Sequence, residues 1–210
     1  MNILNNTTDC QMFLKQGNLT KPFLTDEYVL CKVMQDYDSK VKRGRKTTKI
    51  ESLYNWINSH TVFEREDREF VRNNKFQRTA QEIWENKKMT GCTDYATLFA
   101  VFARQIKIPT TILHTVASSW IEKLQNGEDF QKHYGHTFCE CFYEGMWILV
   151  DPTCRKIEFE YNPQCLNLSY NVGENNSFIP YFRGLDLERK QTIREHNEIE
   201  EKLCADLNRK

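Results

Sequence analysis

The sequence has 210 residues, and its 29 Lys and Arg are balanced by 29 Asp and Glu, so no global field draws it to nucleic acid or to an anionic membrane. Thirteen Phe, nine Tyr and four Trp supply a sizeable core, and the length fits one domain of roughly 100–200 residues. No apolar run approaches the roughly 20 residues that span a bilayer, and residues 1–6 show neither the basic region nor the apolar run of a signal peptide.

Cys10, Cys31, Cys92, Cys139, Cys141, Cys154, Cys165 and Cys204 lack the paired Cys-x-x-Cys spacing of a zinc ribbon. Reduced thiols in a cytoplasmic compartment are therefore expected.

Residues 1–22 carry little pattern and read as an amino-terminal arm. Over residues 24–38, Tyr28, Cys31, Val33 and Met34 predict a short helix, with Thr25 as its cap ahead of Asp26 and Glu27. Lys40, Lys42, Arg43, Arg45, Lys46 and Lys49 follow, with Gly44 among them. A solvated linker and a contact for phosphate or an acidic partner are both open for this run, and residues 1–50 together read as a helical arm with a basic linker. Ile50, Leu53, Tyr54, Trp56 and Ile57 mark another amphipathic stretch. Residues 61–75 are highly charged and read as loop or exposed helix. Thr79 caps a short helix over residues 79–84, with Glu82 at capping-box spacing.

A turn at Asn86, Lys87 and Lys88 leads into Met89-Thr90-Gly91-Cys92, after which Tyr95, Leu98, Phe99, Phe102 and Ile106 recur at helical spacing. Ile108-Pro109 ends the pattern, because a proline ring disfavours helical geometry in the residue before it. Cys92 thus falls in the first turn of a buried helix, where unpaired N–H groups and the dipole favour thiolate over thiol. A small apolar residue filling space at a helix start is the bland alternative.

Beyond Pro109, residues 110–116 are rich in β-branched side chains and read as a strand. Residues 117–134 read as polar and irregular, with one helical turn. Strands over residues 136–143 and 146–150 are joined by Glu144-Gly145, where glycine supplies the positive φ of a tight hairpin. Residues 151–177, with Pro152 and Pro163, read as loop, and the aromatic residues 178–184 as packing on the core. Residues 186–210 read as a charged helix whose approximate stripe of Ile193, Ile199, Leu203 and Leu207 either docks on the domain or meets a partner.

With a two-residue hairpin loop, Tyr143 faces Met146, Phe142 faces Trp147, Glu140 faces Leu149 and Phe138 faces Asp151. Alternation then puts His136, Phe138 and Glu140 on one face with Trp147, Leu149 and Asp151. His136 and Asp151 become diagonal neighbours about 7–8 Å apart, within hydrogen-bonding reach of their side chains. Cys139 and Cys141 fall on the opposite, apolar face and read as core thiols; a metal site shared with Cys154 or Cys165 would need a tetrahedral set that one strand pair rarely completes. His114 reads as a core residue, and His60, His133 and His196 as exposed.

Residues 79–109, then Gly135-His136-Thr137-Phe138, then Trp147-Ile148-Leu149-Val150-Asp151-Pro152-Thr153 together resemble the transglutaminase-like superfamily of papain-type cysteine enzymes. The resemblance covers residues 75–155. It implies an α+β, papain-like core with a nucleophile helix packed on an antiparallel sheet, and Cys92 as nucleophile, His136 as base and Asp151 as orienting carboxylate. Lys107-Ile108-Pro109 stands where the family has Gly-Ile-Pro, and Thr137-Phe138 where it has Ala-Trp. Neither the calcium sites of animal transglutaminases nor the zinc module of peptide N-glycanases has a counterpart here.

The expected activity is thioester-forming acyl transfer on an amide or peptide bond of a protein or peptide substrate, without metal or other cofactor. Transamidation to an amine, or a catalytically silent binding module of the same fold, are the alternatives. The oxyanion would meet the backbone N–H of Cys92, and Gln81 and Trp84 are candidates for a second donor because they closely precede Cys92. The oligomeric state is left open.

Overall fold

A computed structural model describes Leu4, residues 9–126 and 134–186, and residues 198, 201, 202 and 205. The expected terminal stripe, together with His133, His196 and Cys204, lies outside the described residues. After a 3-10 turn at Cys10–Leu14 come α1 (Asp26–Lys42), α2 (Lys49–His60), β1 (Val62–Phe63), α3 (Arg68–Asn74), α4 (Ala80–Asn86), β2 (Lys88–Met89) and α5 (Cys92–Gln105). There follow β3 (Thr110–Ala117), α6 (Ser118–Gln125), β4 (Gly135–Tyr143), β5 (Met146–Asp151), β6 (Lys156–Glu158), β7 (Leu168–Val172) and β8 (Asn175–Gly184). The fold is α+β, with one antiparallel sheet in the order β6-β5-β4-β3-β8-β7 and a small parallel pair, β1-β2.

Side-chain caps fix the helix starts. Thr25 accepts from Tyr28 N–H at α1, and both Thr48–Glu51 and Thr79–Glu82 close capping boxes at α2 and α4. Helix α1 runs on to Lys42, so Lys40 and Lys42 of the basic run belong to its last turn, where cations suit the dipole. Lys40 also pairs with Asp36 one turn earlier. The buried stripe of α1 is Val29 and Val33, while Tyr28 and Cys31 face out.

The sheet divides the core. One face carries Ile112, Cys139, Cys141, Ile148 and Val150 against α5, α2 and α4; the other carries Leu113, Phe138 and Leu149 against Trp120 and Ile121 of α6 and Phe178 of β8. Helix α5 lies between sheet and helices, so every residue from Thr93 to Gln105 is buried rather than a single stripe. Arg104 fastens its far end, donating to Thr110 O, Thr20 Oγ1, Gln16 Oε1 and Leu185 O. Asp186 accepts from the backbone N–H groups of Leu19 and Thr20 beside it.

Three expectations need correction. Residues 118–125 form α6, two turns rather than one, held by buried Trp120 and Ile121. The segment read as loop holds β6, β7 and the start of β8. The aromatic residues 178–184 are themselves strand β8, in the interior of the sheet. Pro180 is accommodated there by a register shift opposite His114 and Thr115, where a missing N–H breaks the ladder.

The β4–β5 turn has φ of 51° at Glu144 and 85° at Gly145, both positive, as a type I′ turn requires. Nothing lies within 4 Å of a Cβ added at Gly145. Gly145→Ala should therefore cost only backbone strain, about 1 kcal/mol, read as a lower urea midpoint at unchanged slope.

Candidate active site

Cys92 is the first residue of α5 and is partly exposed, although everything after it in the helix is buried. The loop feeding it is anchored from within the first turn. Asp94 accepts from Thr90 N–H at 2.6 Å and Thr90 Oγ1 at 2.7 Å, and pairs with Arg78, whose guanidinium also donates to Lys88 O. Lys75 lies alongside, its Cε 3.6 Å from where a Gly91 Cβ would stand.

Strand pairing has the register expected from the two-residue loop: Tyr143 opposite Met146, Phe142 opposite Trp147, Glu140 opposite Leu149. His136 and Asp151 accordingly meet, Nε2 to Oδ2 at 2.9 Å, with the carboxylate fully buried. The other carboxylate oxygen accepts from Thr153 and Cys154 N–H, each at 3.0 Å, so Asp151 is held from its own turn as well as by the ring. Thr115 Oγ1 donates to His136 O at 3.0 Å. The Phe138 ring stands edge-on to the imidazole at 4.6 Å, with Phe178 at 6.1 Å.

The imidazole and the Cys92 sulfur stand close enough for each to shift the pKa of the other. Since Asp151 takes Nε2, the nitrogen left for sulfur is Nδ1. Burial pushes the Cys92 thiol up, but the His136 charge, hydrogen bonds from His136 and Thr137, and the Lys75 charge outweigh it and bring the thiol from 9.0 to about 7. Burial alone would lower His136, yet the facing sulfur and the Asp151 hydrogen bond raise it from 6.5 to about 10. Asp151 is likewise pushed up by burial and drawn below its ordinary value by His136. Both shifts point the same way, toward a thiolate–imidazolium pair backed by a carboxylate.

A second set of contacts reaches the sulfur from β4. Cys92 Sγ lies 3.6 Å from Thr137 Oγ1, which is 3.2 Å from Thr93 Oγ1 and 3.1 Å from His114 Nδ1. A cavity of about 480 Å³ opens beside Gly135, walled by Trp120, Tyr134, Val172 and Phe178, with Lys123 and Glu174 at its rim.

Over residues 35–152 the sequence matches the transglutaminase-like superfamily. The chain belongs to that superfamily. A crystal structure of a candidate cysteine protease from Cytophaga hutchinsonii is similar at 18% identity and a TM-score of 0.50, over 87% of this chain and 48% of that one. A crystal structure of a TGase gives 13% identity and a TM-score of 0.41, over 61% of this chain and 31% of that one. The chain thus spans about half the length of the first and less of the second. Comparison with curated proteins gave no match.

Other expected site residues fall elsewhere in this transglutaminase-like fold. Gln81 is exposed on α4 and gives its amide to Glu85 at 2.8 Å. Trp84 packs on Trp56, Phe102 and His60, and Phe102 is about 15 Å along α5 from Cys92 at 1.5 Å per residue. The structure does not bring either to the sulfur. Cys139 and Cys141 are buried core thiols, both raised by burial, Cys141 to about 12. His60 is exposed and stacks on Trp84; His114 is buried. Among the described residues no group of three His, Cys, Asp or Glu is arranged for a metal ion, and no helix is long and apolar enough to cross a membrane.

Lys75, Thr137 and Thr93 were not anticipated as neighbours of the sulfur. Thr137 carried a signal: beside His136 on a strand, it had to point to the opposite face, the one that receives α5. Lys75 carried none, because its approach depends on the turn after α3, where Phe76 takes φ of 63°.

Proposed function

We propose that Cys92, His136 and Asp151 form a catalytic triad and that the chain is a cysteine-dependent acyl-transfer enzyme acting on an amide or peptide bond of a protein or peptide. The observation that carries this reading is the buried Asp151–His136 hydrogen bond beside a sulfur at the start of α5 whose pKa the imidazole lowers. The Cys92 thiolate adds to the carbonyl, and the developing oxyanion meets the Cys92 N–H at the helix start. His136, already protonated, gives its Nδ1 proton to the leaving amine as the tetrahedral adduct collapses to a thioester. The neutral ring then takes a proton from water or an amine as it attacks the thioester, and sulfur leaves as thiolate. Asp151 keeps the ring oriented and compensates its charge throughout.

Water as acceptor makes the chain a hydrolase, and an amine makes it a transglutaminase. A primary fluorescent amine offered with a glutamine peptide separates these: amine incorporation signals transamidation, ammonia release alone signals hydrolysis. The test of the nucleophile itself is the pH dependence of iodoacetamide labelling, followed peptide by peptide. Cys92 should label with a midpoint near pH 7 and outpace every other thiol at pH 6, while Cys139 and Cys141 stay unlabelled in the folded chain. A Cys92 midpoint near the ordinary 9.0 would leave a catalytically silent binding module as the better reading.

A further inference from the structure

We infer that His114 is a positioning residue for the Cys92 thiolate, acting through the hydroxyl of Thr137; this rests on Cys92 being the nucleophile. Thr137 Oγ1 has three polar neighbours: the sulfur at 3.6 Å, Thr93 Oγ1 at 3.2 Å and His114 Nδ1 at 3.1 Å. A hydroxyl has one proton to give and two lone pairs to fill. A thiolate can only accept, so it must receive the one Thr137 proton. Both remaining partners must then donate to Thr137. Thr93 can do so with its own hydroxyl. His114 can do so only when Nδ1 carries a proton.

With its proton on Nε2 instead, His114 would accept at Nδ1 and compete with sulfur for the same Thr137 proton. The tautomer of a buried ring on the neighbouring strand therefore decides whether the nucleophile keeps a hydrogen bond. His114 is fixed in place for this. It is the direct cross-strand partner of Thr137, 2% exposed, with Tyr181 and Phe182 of β8 at 6.2 and 5.5 Å. The Thr137 contact works with His136 and Lys75 against the burial that pushes the thiol up. Among the described residues, charged and titratable groups facing the sulfur include His136, with Asp151 and Cys154 behind it, and Lys75, while Tyr181 lies beside His114.

The test reads the midpoint of Cys92 alkylation by iodoacetamide in full-length variants, each checked for folding by circular dichroism. Thr137→Val should raise the midpoint by about one pH unit, the lower end for a hydrogen bond to a charged group, and His114→Leu by a smaller amount, because it removes only the donor that orients and polarises the hydroxyl. In the Thr137→Val background, His114→Leu should add nothing, because the route between them is gone. His114→Asn, which places an amide donor at the Nδ1 position, should stay near the wild-type midpoint, and His114→Gln, with its amide nearer Nε2, should not. The Asn and Gln variants decide the matter if His114→Leu does not fold. An undiminished His114→Leu shift without Thr137, or equal midpoints for Asn and Gln, would overturn the inference. A wild-type midpoint near 7 with no response to either residue sinks this inference alone; one near 9.0 sinks the nucleophile reading with it.

Discussion

His136→Ala should move the midpoint of Cys92 alkylation from about 7 to at least the ordinary 9.0, since it removes the main charge that opposes burial of the sulfur. At pH 6 that shift cuts the thiolate fraction about a hundredfold. The surviving thiolate is more basic and hence a better nucleophile, which returns roughly a factor of eight. The net expectation is labelling about tenfold slower at pH 6, with the gap closing and then reversing just above about pH 8. Peptide mass mapping over a pH series gives both numbers. A midpoint that stays near 7 would mean that α5 and Lys75 hold the thiolate unaided. On the proposed mechanism, Asp151→Asn should keep the fold and lower turnover about 10³–10⁴-fold, by analogy with loss of the orienting carboxylate in established triads.

The second large effect is on stability. Glu140 sits on the sheet face shared with His136, fully buried, and meets Arg183 of β8 through Nε to Oε2 at 2.5 Å and Nη2 to Oε1 at 2.6 Å. Thr111 donates to it from β3, and Tyr161 donates from the segment between β6 and β7. Arg183 also donates to Pro163 O. Four segments thus meet at one carboxylate. Arg183→Met would strand that charge in the interior, a loss of about 3–5 kcal/mol. For a chain of this length the melting temperature should fall by roughly 10 °C. Glu140→Leu added to Arg183→Met should recover most of the loss, because the stranded charge, not the missing bridge, carries the cost. Calorimetry of the two variants checks this; a fall below about 2 °C for Arg183→Met would show that water reaches Glu140.

The parts legible in the sequence are those governed by local rules. Periodicity from Tyr95 onward and Pro109 delimited α5, Thr79 with Glu82 marked α4, and Glu144-Gly145 set a hairpin whose alternation alone brought His136 to Asp151. What was missed depended on distant partners. The residues of β8 read only as aromatic packing on the core, because β3 on one side and β7 on the other are what make them a strand. Glu140 was visible as a facing residue, but Arg183 lies 43 positions away. Gln81 and Trp84 show the opposite error: nearness in sequence to Cys92 was read as nearness in space, yet Trp84 of α4 packs on Phe102, in the half of α5 remote from Cys92.

The Arg104 clasp has a bearing on access. It gathers the arm at Gln16 and Thr20 and the chain leaving β8 at Leu185 onto one pole of α5, about 18 Å along the axis from Cys92 at 1.5 Å per residue. A label, bead or surface linked at either of those segments is thereby held at the pole remote from the thiol, so immobilisation at Gln16 or Leu185 should leave the rate of Cys92 alkylation unchanged.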